Sequence, residues 1–212
     1  MSRFSSLAAV ASEIQEIVIP GQRTLVAIVG PPGAGKSTIA AALAELLAPA
    51  ATVLPMDGFH LPKSRLRELE RLDRMGAPDT FDVDGFLALL TRVKPAFGNS
   101  GNRVVAPGFD REIEEPVADA IDIFPEFPIV IVEGNYLLLD ADGWGAVAAA
   151  FDVSFFVDVP HDVRIERLVA RHIRFGKSEP DARAWALGPD EANARVIEAT
   201  AARATHVIAR DG

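Results

Sequence analysis

The chain contains no cysteine, which excludes a disulfide scaffold and thiolate metal sites and accords with a reducing compartment. It has no run of about 18 uncharged apolar residues, the length a membrane-spanning helix needs; its apolar runs are short, such as Ile129 to Val132. Internal repeats, low-complexity tracts and long linkers are also absent, so one domain accounts for residues 1–212. Positive charge is in deficit: 21 Lys and Arg against 30 Asp and Glu give a net charge of −9. That balance, with no long basic stripe, argues against a nucleic-acid surface and for a small-molecule partner. The opening segment has one Arg and a brief apolar stretch, with Glu13 and Glu16 soon following at helical spacing, and reads as an amphipathic first helix rather than a signal peptide. A cytoplasmic protein is the expectation, with no nucleic-acid or membrane partner, as a monomer or homodimer.

What is present is an ordinary globular composition, 49% hydrophobic and 24% charged, sufficient for a sizeable core. Arg23 to Val29 is a continuous apolar run ending at Gly30, the form of a strand buried on both faces of a parallel sheet. From Ser37 onward, Ile39, Leu43, Leu46 and Leu47 follow helical spacing until Pro49. Further strands are expected at 52–54, 129–133, 151–159 and 206–209, and the alternation with helical patterns implies an α/β sandwich with a mainly parallel sheet. Phe86, Leu89, Leu90 and Val93 share a helix face that Asp84 can cap. The Gly/Asn/Pro-punctuated stretch 99–108 reads as a loop or an edge-strand excursion.

Between that first strand and helix lies Gly30-Pro31-Pro32-Gly33-Ala34-Gly35-Lys36-Ser37-Thr38, which satisfies G-x4-G-K-[ST] in the context a phosphate-binding P-loop requires. Glycines let successive N–H groups curl around phosphate oxygens, and the following helix adds unpaired amides. Lys36 would reach the terminal phosphates of a nucleoside triphosphate, and the Ser37 hydroxyl would ligate Mg²⁺. Asp57 follows the 52–54 strand in the run Met56-Asp57-Gly58-Phe59-His60, which delivers it to the carboxyl edge of the sheet. There a carboxylate can accept the proton of an attacking hydroxyl while helping to hold the metal; the competing reading is an Asx-turn beside Gly58. Glu133 ends the Ile129–Val132 strand and is the candidate second carboxylate for Mg²⁺, unless it is merely a solvated strand end.

The segment from 161 to 177 concentrates positive charge, with five Lys or Arg against two Asp or Glu. At helical spacing Arg164, Arg167, Arg171 and Arg174 fall within an arc of about 80°, with Ile165, Leu168, Val169 and Ile173 on the other side. Such an array suits a triphosphate during transfer, with Arg167 and Arg171 as the candidates for contact from a mobile lid; the alternative is a solvated helix face.

Gly30–Thr38 and Met56–His60, together with the runs 76–82 (GAPDTFD) and 132–139 (VEGNYLLL), resemble the superfamily of uridine kinase, phosphoribulokinase and bacterial pantothenate kinase. The wording MDGFH, GAPDTFD and EGNYLLL with Trp144 is most similar to small bacterial kinases labelled fructose transport system kinase, or uridine-kinase-like NTPase. The resemblance implies a P-loop NTPase fold, a three-layer α/β/α sandwich with a mainly parallel five-stranded core sheet and a helical lid over about 161–186. It implies transfer of the ATP γ-phosphate to a hydroxyl of a small metabolite, with Mg²⁺ as cofactor. Asp57 then matches the catalytic acid and Glu133 a metal-associated carboxylate. Phe81 and Asp82 match a substrate-facing pair, with Asp84 left as the helix cap, although from the residues alone Asp82 also suits the helix start. Phe109 and Arg111 fall on another substrate loop, beside His60, and could equally form an ordinary turn before the acidic run 112–115. No histidine lies between His60 and His161, which departs from the uridine kinase pattern, and the chain is shorter than pantothenate kinases. A sugar-like acceptor is therefore favoured over a nucleoside or pantothenate, and a nucleotide-binding regulatory NTPase without kinase activity is the reading from another class.

Overall fold

The computed structural model describes residues 1–98 and 102–210. The head of the stretch expected as a loop over 99–108 and the last two residues of the 1–212 domain lie outside the described residues. In chain order the elements are β1 (Ser2–Phe4), α1 (Leu7–Ile17), β2 (Thr24–Val29), α2 (Lys36–Leu46), β3 (Ala51–Pro55), α3 (Lys63–Glu68), α4 (Val83–Val93), β4 (Val104–Asp110) and β5 (Glu115–Ile123). They continue with β6 (Ile129–Gly134), α5 (Trp144–Ala148), β7 (Val153–Asp158), α6 (His161–Arg174), α7 (Glu179–Leu187), α8 (Pro189–Glu198) and β8 (His206–Ala209).

The main sheet runs β1-β8-β7-β2-β6-β3, and every pairing in it is parallel. It therefore has six strands rather than the expected five. The addition is β1, whose Ser2, Arg3 and Phe4 pair with His206, Val207 and Ile208. A three-residue strand is too short to show a period, so the sequence revealed only the helix that follows, begun by Ser6 accepting a hydrogen bond from the Ala9 amide.

Alternation along the strands splits the core in two. Leu25, Ala27 and Val29 of β2 and Val130 and Val132 of β6 face one layer with Phe86, Leu89, Leu90 and Trp144. Val26 and Ile28, with Ile129 and Ile131, face the other layer with Val10, Ile14, Ile39 and Leu43. This is the three-layer α/β/α arrangement, and burial of each Val, Leu, Ile or Phe contributes roughly 1.5–3 kcal/mol relative to exposure. Among the described residues no helix is long and apolar enough to cross a membrane.

β4 and β5 form a separate two-stranded antiparallel sheet, so of the two readings of 99–108, a loop or an edge-strand excursion, the strand holds from Val104 onward. The sheet's pairing register shifts between Ala106 and Gly108, around Pro107, which has no amide hydrogen for a ladder. This hairpin packs on the turn that carries Asp57: a Cβ added to Gly58 would lie 2.2 Å from the Pro107 carbonyl oxygen. Only glycine permits that approach.

The start of α4 differs from expectation. Asp82, not Asp84, is the cap: its Oδ1 accepts from the Gly85 amide at 2.9 Å, while Asp84 sits in the first turn. The choice is set by the backbone, because the Asp82 amide is bound to the Phe59 carbonyl at 2.8 Å and holds that residue outside the helix. We expect Asp82→Ala to cost about 1 kcal/mol in denaturant unfolding and Asp82→Asn, an equally good cap, to restore it. Asp84→Ala should cost only a few tenths; an equal or larger loss there would move the cap back to Asp84.

Candidate active site

Because β2, β6 and β3 are parallel neighbours, their carboxyl ends meet at one edge. Register places Glu133 opposite Ile28 and Pro55, directly between the loop after β2 and the turn after β3. In the loop after β2, Gly33 (φ +81°) and Gly35 (φ +88°) take left-handed conformations that disfavour any side chain. No side chain caps α2, so amides of its first turn are left for another acceptor. Lys36 is buried, and its Nζ donates to the Pro31 carbonyl at 3.2 Å. Ser37 Oγ donates to Glu133 Oε1 at 2.9 Å.

The electrostatics of this cluster are those of charges taken out of water. Burial pushes the Lys36 ammonium down to about 8, although Glu133 and Asp57 pull the other way. Burial and the nearby Asp57 raise the Glu133 carboxyl, against the opposing effects of Lys36 and Ser37. Asp57 sits in a 3-10 turn, Met56–Phe59. Its Oδ2 accepts a 2.5 Å charge-assisted hydrogen bond from Arg111 Nη2, which arrives from the turn of the β4–β5 hairpin.

His60 lies between two rings, its centroid 4.0 Å from that of Phe81 and 4.7 Å from that of Phe109. Burial lowers its pKa and favours the neutral ring. Its Nδ1 is 2.8 Å from the Asp57 carbonyl oxygen. A carbonyl only accepts, so Nδ1 carries the proton and Nε2 is left as an acceptor.

These groups line one cleft of about 630 Å³, together with the lid-side Arg167 and Arg171 and the hairpin's Phe109 and Arg111. The structure thus brings Lys36, Ser37, Asp57, Glu133, His60, Phe109, Arg111, Arg167 and Arg171 to a single cleft. It does not bring Phe81 or Asp82 there. Phe81 is buried behind His60, edge-on to Tyr136 and Trp144 at 5.7 and 5.9 Å, and Asp82 is engaged at the start of α4.

Residues 25–179 match the model of the Phosphoribulokinase / Uridine kinase family. The chain belongs to this family. A Schizosaccharomyces pombe protein provisionally named a uridine kinase is 36% identical over 173 residues, covering 76% of this chain and 71% of its own. YggC of Escherichia coli K12 is 35% identical over 199 residues, 91% of this chain and 80% of that one. A crystal structure from Silicibacter sp. TM1040, provisionally named a fructose transport system kinase, shares 42% identity with a TM-score of 0.87 and covers 95% of this chain and 98% of that chain. The resemblance read from the motifs holds at the level of the family, and the architecture is its P-loop kinase fold.

The four arginines of α6 do not act as a set in this kinase fold. Arg167 and Arg171 line the cleft and make no ion pair among the described residues. Arg174 is exposed, 5.9 Å from the Phe175 ring. Arg164 is 1% exposed; it pairs with Glu191 at 2.5 Å and packs on the P-loop, its carbonyl oxygen 2.7 Å from a Cβ built on Gly33. Periodicity shows which residues share a face but not that α8 crosses one end of it. Ile173, expected on the apolar side, is 44% exposed.

Sequence reasoning also missed cleft residues. His172 Nε2 is 2.6 Å from Asp190 Oδ2, Lys177 lies 4.4 Å over the Trp185 ring, and α3 supplies Lys63 and Arg67. The available signal was the 190–193 spacing: Asp190 and Asn193 sit one helical turn apart on α8 and both reach the cleft. Asn193 donates to the Gly76 carbonyl at 3.4 Å, and Tyr136 Oη donates to the same oxygen at 2.6 Å.

If Arg164 is the structural joint between P-loop, α6 and α8, Arg164→Ala should lower unfolding stability by about 3–5 kcal/mol, because it strands Glu191 and empties a buried position. Arg167→Ala should change stability by less than about 0.5 kcal/mol. Comparable denaturation midpoints for the two variants would refute this division.

Proposed function

We propose that the chain is an ATP-dependent kinase that transfers the γ-phosphate to a hydroxyl of a small polar metabolite, with a sugar-like acceptor favoured. The observation that carries this reading is the convergence at one sheet edge of buried Lys36, the Ser37–Glu133 pair and Asp57, facing an acceptor wall of His60, Phe109 and Arg111. Family membership supports the reaction class. One relative is named for uridine and another for a fructose transport system, so the acceptor is argued from the cleft.

The donor set fits a hard divalent cation: one hydroxyl and two carboxylates, with no group of three His, Cys, Asp or Glu gathered among the described residues. Mg²⁺ suits such a site because it retains water and takes phosphate oxygens rather than an all-protein cage. Ser37, Asp57 and Glu133 would hold it, and when bound it supplies charge neutralisation at the phosphates. Residues 30–38 wrap the triphosphate with backbone amides. Lys36, a buried cation whose Nζ meets only a loop carbonyl, exchanges that carbonyl for phosphate oxygen. Asp57 accepts the acceptor's hydroxyl proton as the new O–P bond forms and the bond to ADP breaks; Arg167 and Arg171 stabilise the charge spread over the transferred group. His60 Nε2 accepts a hydrogen bond from an acceptor hydroxyl, and Phe109 closes that side. Phe81 supports the His60 ring from behind, and Asp82 acts through the position of α4.

Asp57→Asn should retain nucleotide binding and lose acceptor-dependent ADP release by at least about 100-fold. Unchanged turnover would remove Asp57 from the mechanism, and binding without acceptor dependence in the unaltered protein would favour a regulatory NTPase.

The Lys36 value gives a pH test. The triphosphate needs the ammonium form, which the free protein loses as pH rises through about 8 rather than 10.5. Affinity for Mg-nucleotide should therefore fall above pH 8 by up to about tenfold per unit, with a proton taken up on binding. Calorimetry at pH 9 in two buffers of different ionisation enthalpy measures that uptake; zero uptake would mean that Lys36 does not meet the phosphates.

A further inference from the structure

On the kinase reading, the cleft holds more positive charge than a triphosphate requires. Lys36, Arg167 and Arg171 serve the phosphates. Beyond them, Arg111, Lys63, Arg67 and Lys177 line the same cleft. Arg67 and Lys177 make no ion pair among the described residues, Lys63 is 3.6 Å from Glu114, and Arg111 pairs with Asp57. A smaller cleft of about 270 Å³ adjoins the first and shares Phe109, Arg111, Lys63 and Lys177. The smaller cleft also holds Glu112 and Glu114, so Lys63, Arg111, Arg171 and Lys177 stand there against two carboxylates. In a chain with a net charge of −9 the cations left without an ion pair among the described residues, Arg67, Arg171 and Lys177, favour an anion at this end of the cleft.

The Arg111–Asp57 bond sharpens the point. Asp57 must take a proton from the acceptor, yet its Oδ2 is engaged by Arg111 at 2.5 Å. Breaking a charge-assisted bond without replacement is costly. With a neutral acceptor the guanidinium would have no new partner. With an anionic one it exchanges one oxyanion for another, and the planar fork of an arginine fits a carboxylate or a phosphate equally well.

We propose that the acceptor carries, besides the hydroxyl presented to Asp57, an anionic group, a carboxylate or a phosphate ester, and that this group takes Arg111 from Asp57 with Lys63, Arg67 and Lys177 at its periphery. The substrate class is thus a hydroxy acid or a sugar phosphate rather than a free sugar or nucleoside. The hydroxyl that reacts stays at Asp57 and His60; the anion lies toward the smaller cleft. This deepens the proposed kinase function and rests on it.

The test is ADP release across a library of hydroxylated compounds in matched pairs: fructose with fructose 6-phosphate, glucose with gluconate, glycerol with glycerate, and nucleosides with their monophosphates. At least one anionic member should exceed its neutral partner by tenfold or more in kcat/KM. The phosphate and carboxylate arms distinguish the two sources of charge. In Arg111→Gln that preference should collapse at least tenfold, chiefly through KM, and Arg111→Lys should restore part of it. Acceptor-dependent ADP release confined to neutral members, or a preference unchanged in Arg111→Gln, would overturn the anionic-acceptor assignment while leaving the kinase reading intact. No acceptor dependence anywhere in the library, with nucleotide still bound, would overturn both.

Discussion

The site depends on burying two opposite charges, Lys36 and Glu133, together beneath a loop that has few side chains. Either alone in that position would be an uncompensated buried ion. Together they are tolerated, but not comfortably: burial drives both toward their neutral forms, Lys36 down and Glu133 up, despite their mutual attraction. The folded protein therefore stores an electrostatic penalty at its sheet edge. A ligand with phosphate oxygens for the ammonium and a cation for the carboxylate relieves both halves at once, which is a physical reason for such a site to favour a metal–nucleotide pair over either component. The parallel register of β2, β6 and β3 makes this possible, since antiparallel neighbours would send alternate strand ends to opposite edges.

Two glycines then decide how the rest of the cleft is assembled. Gly33 lets α6 rest on the P-loop through Arg164 and Leu168, and Gly58 lets the β4–β5 hairpin rest on the Asp57 turn through Pro107. Both contacts are backbone-close, so the element bearing Arg167 and Arg171 is referenced to the loop after β2 and the element bearing Phe109 and Arg111 to the Asp57 turn. The first turns of α6 are anchored by buried Arg164, Ile165 and Leu168, whereas its last turn, with Ile173 and Arg174, is exposed.

The difference between what the sequence discloses and what it conceals has a physical basis. β2, β6 and β7 are contiguous apolar runs because both faces of the sheet are covered, and a P-loop is a contiguous motif because its chemistry is done by successive backbone amides. Both are legible in one dimension. The β4–β5 hairpin was not, because it is a two-stranded sheet with a solvent-facing side, interrupted at Pro107 and carrying acidic residues through its turn. The helix cap failed for a different reason: Asp82 and Asp84 have the same capping chemistry, and a hydrogen bond from the Asp82 amide to Phe59, distant in sequence, selects between them. That Arg164 would not be among the phosphate contacts was legible, but its partner was not, because Glu191 comes from a helix 27 residues on. The rest of the cleft lining was hardest to read: Lys63 and Arg67 of α3 and His172 and Asp190 of α6 and α8 come from elements with no contiguous signature.

This dispersal bears on how the two halves of the cleft communicate. Arg171 lines both the large and the small cleft, and burial together with the Arg111 charge disfavours its charged form, partly offset by Asp190 and Asp57. On the anionic-acceptor reading it stands between the transferred phosphoryl group and the acceptor's own anion. Those two negative charges repel, and a shared guanidinium reduces the repulsion as the acceptor oxygen closes on phosphorus. Asp190, held by His172, needs no contact with either ligand to contribute: its negative charge partly offsets the burial of the Arg171 guanidinium. The residues that periodicity grouped as one cationic face thus divide by what lies opposite each of them, with Arg164 set against a carboxylate of the fold and Arg167 and Arg171 left open to carboxylates or phosphates from outside it.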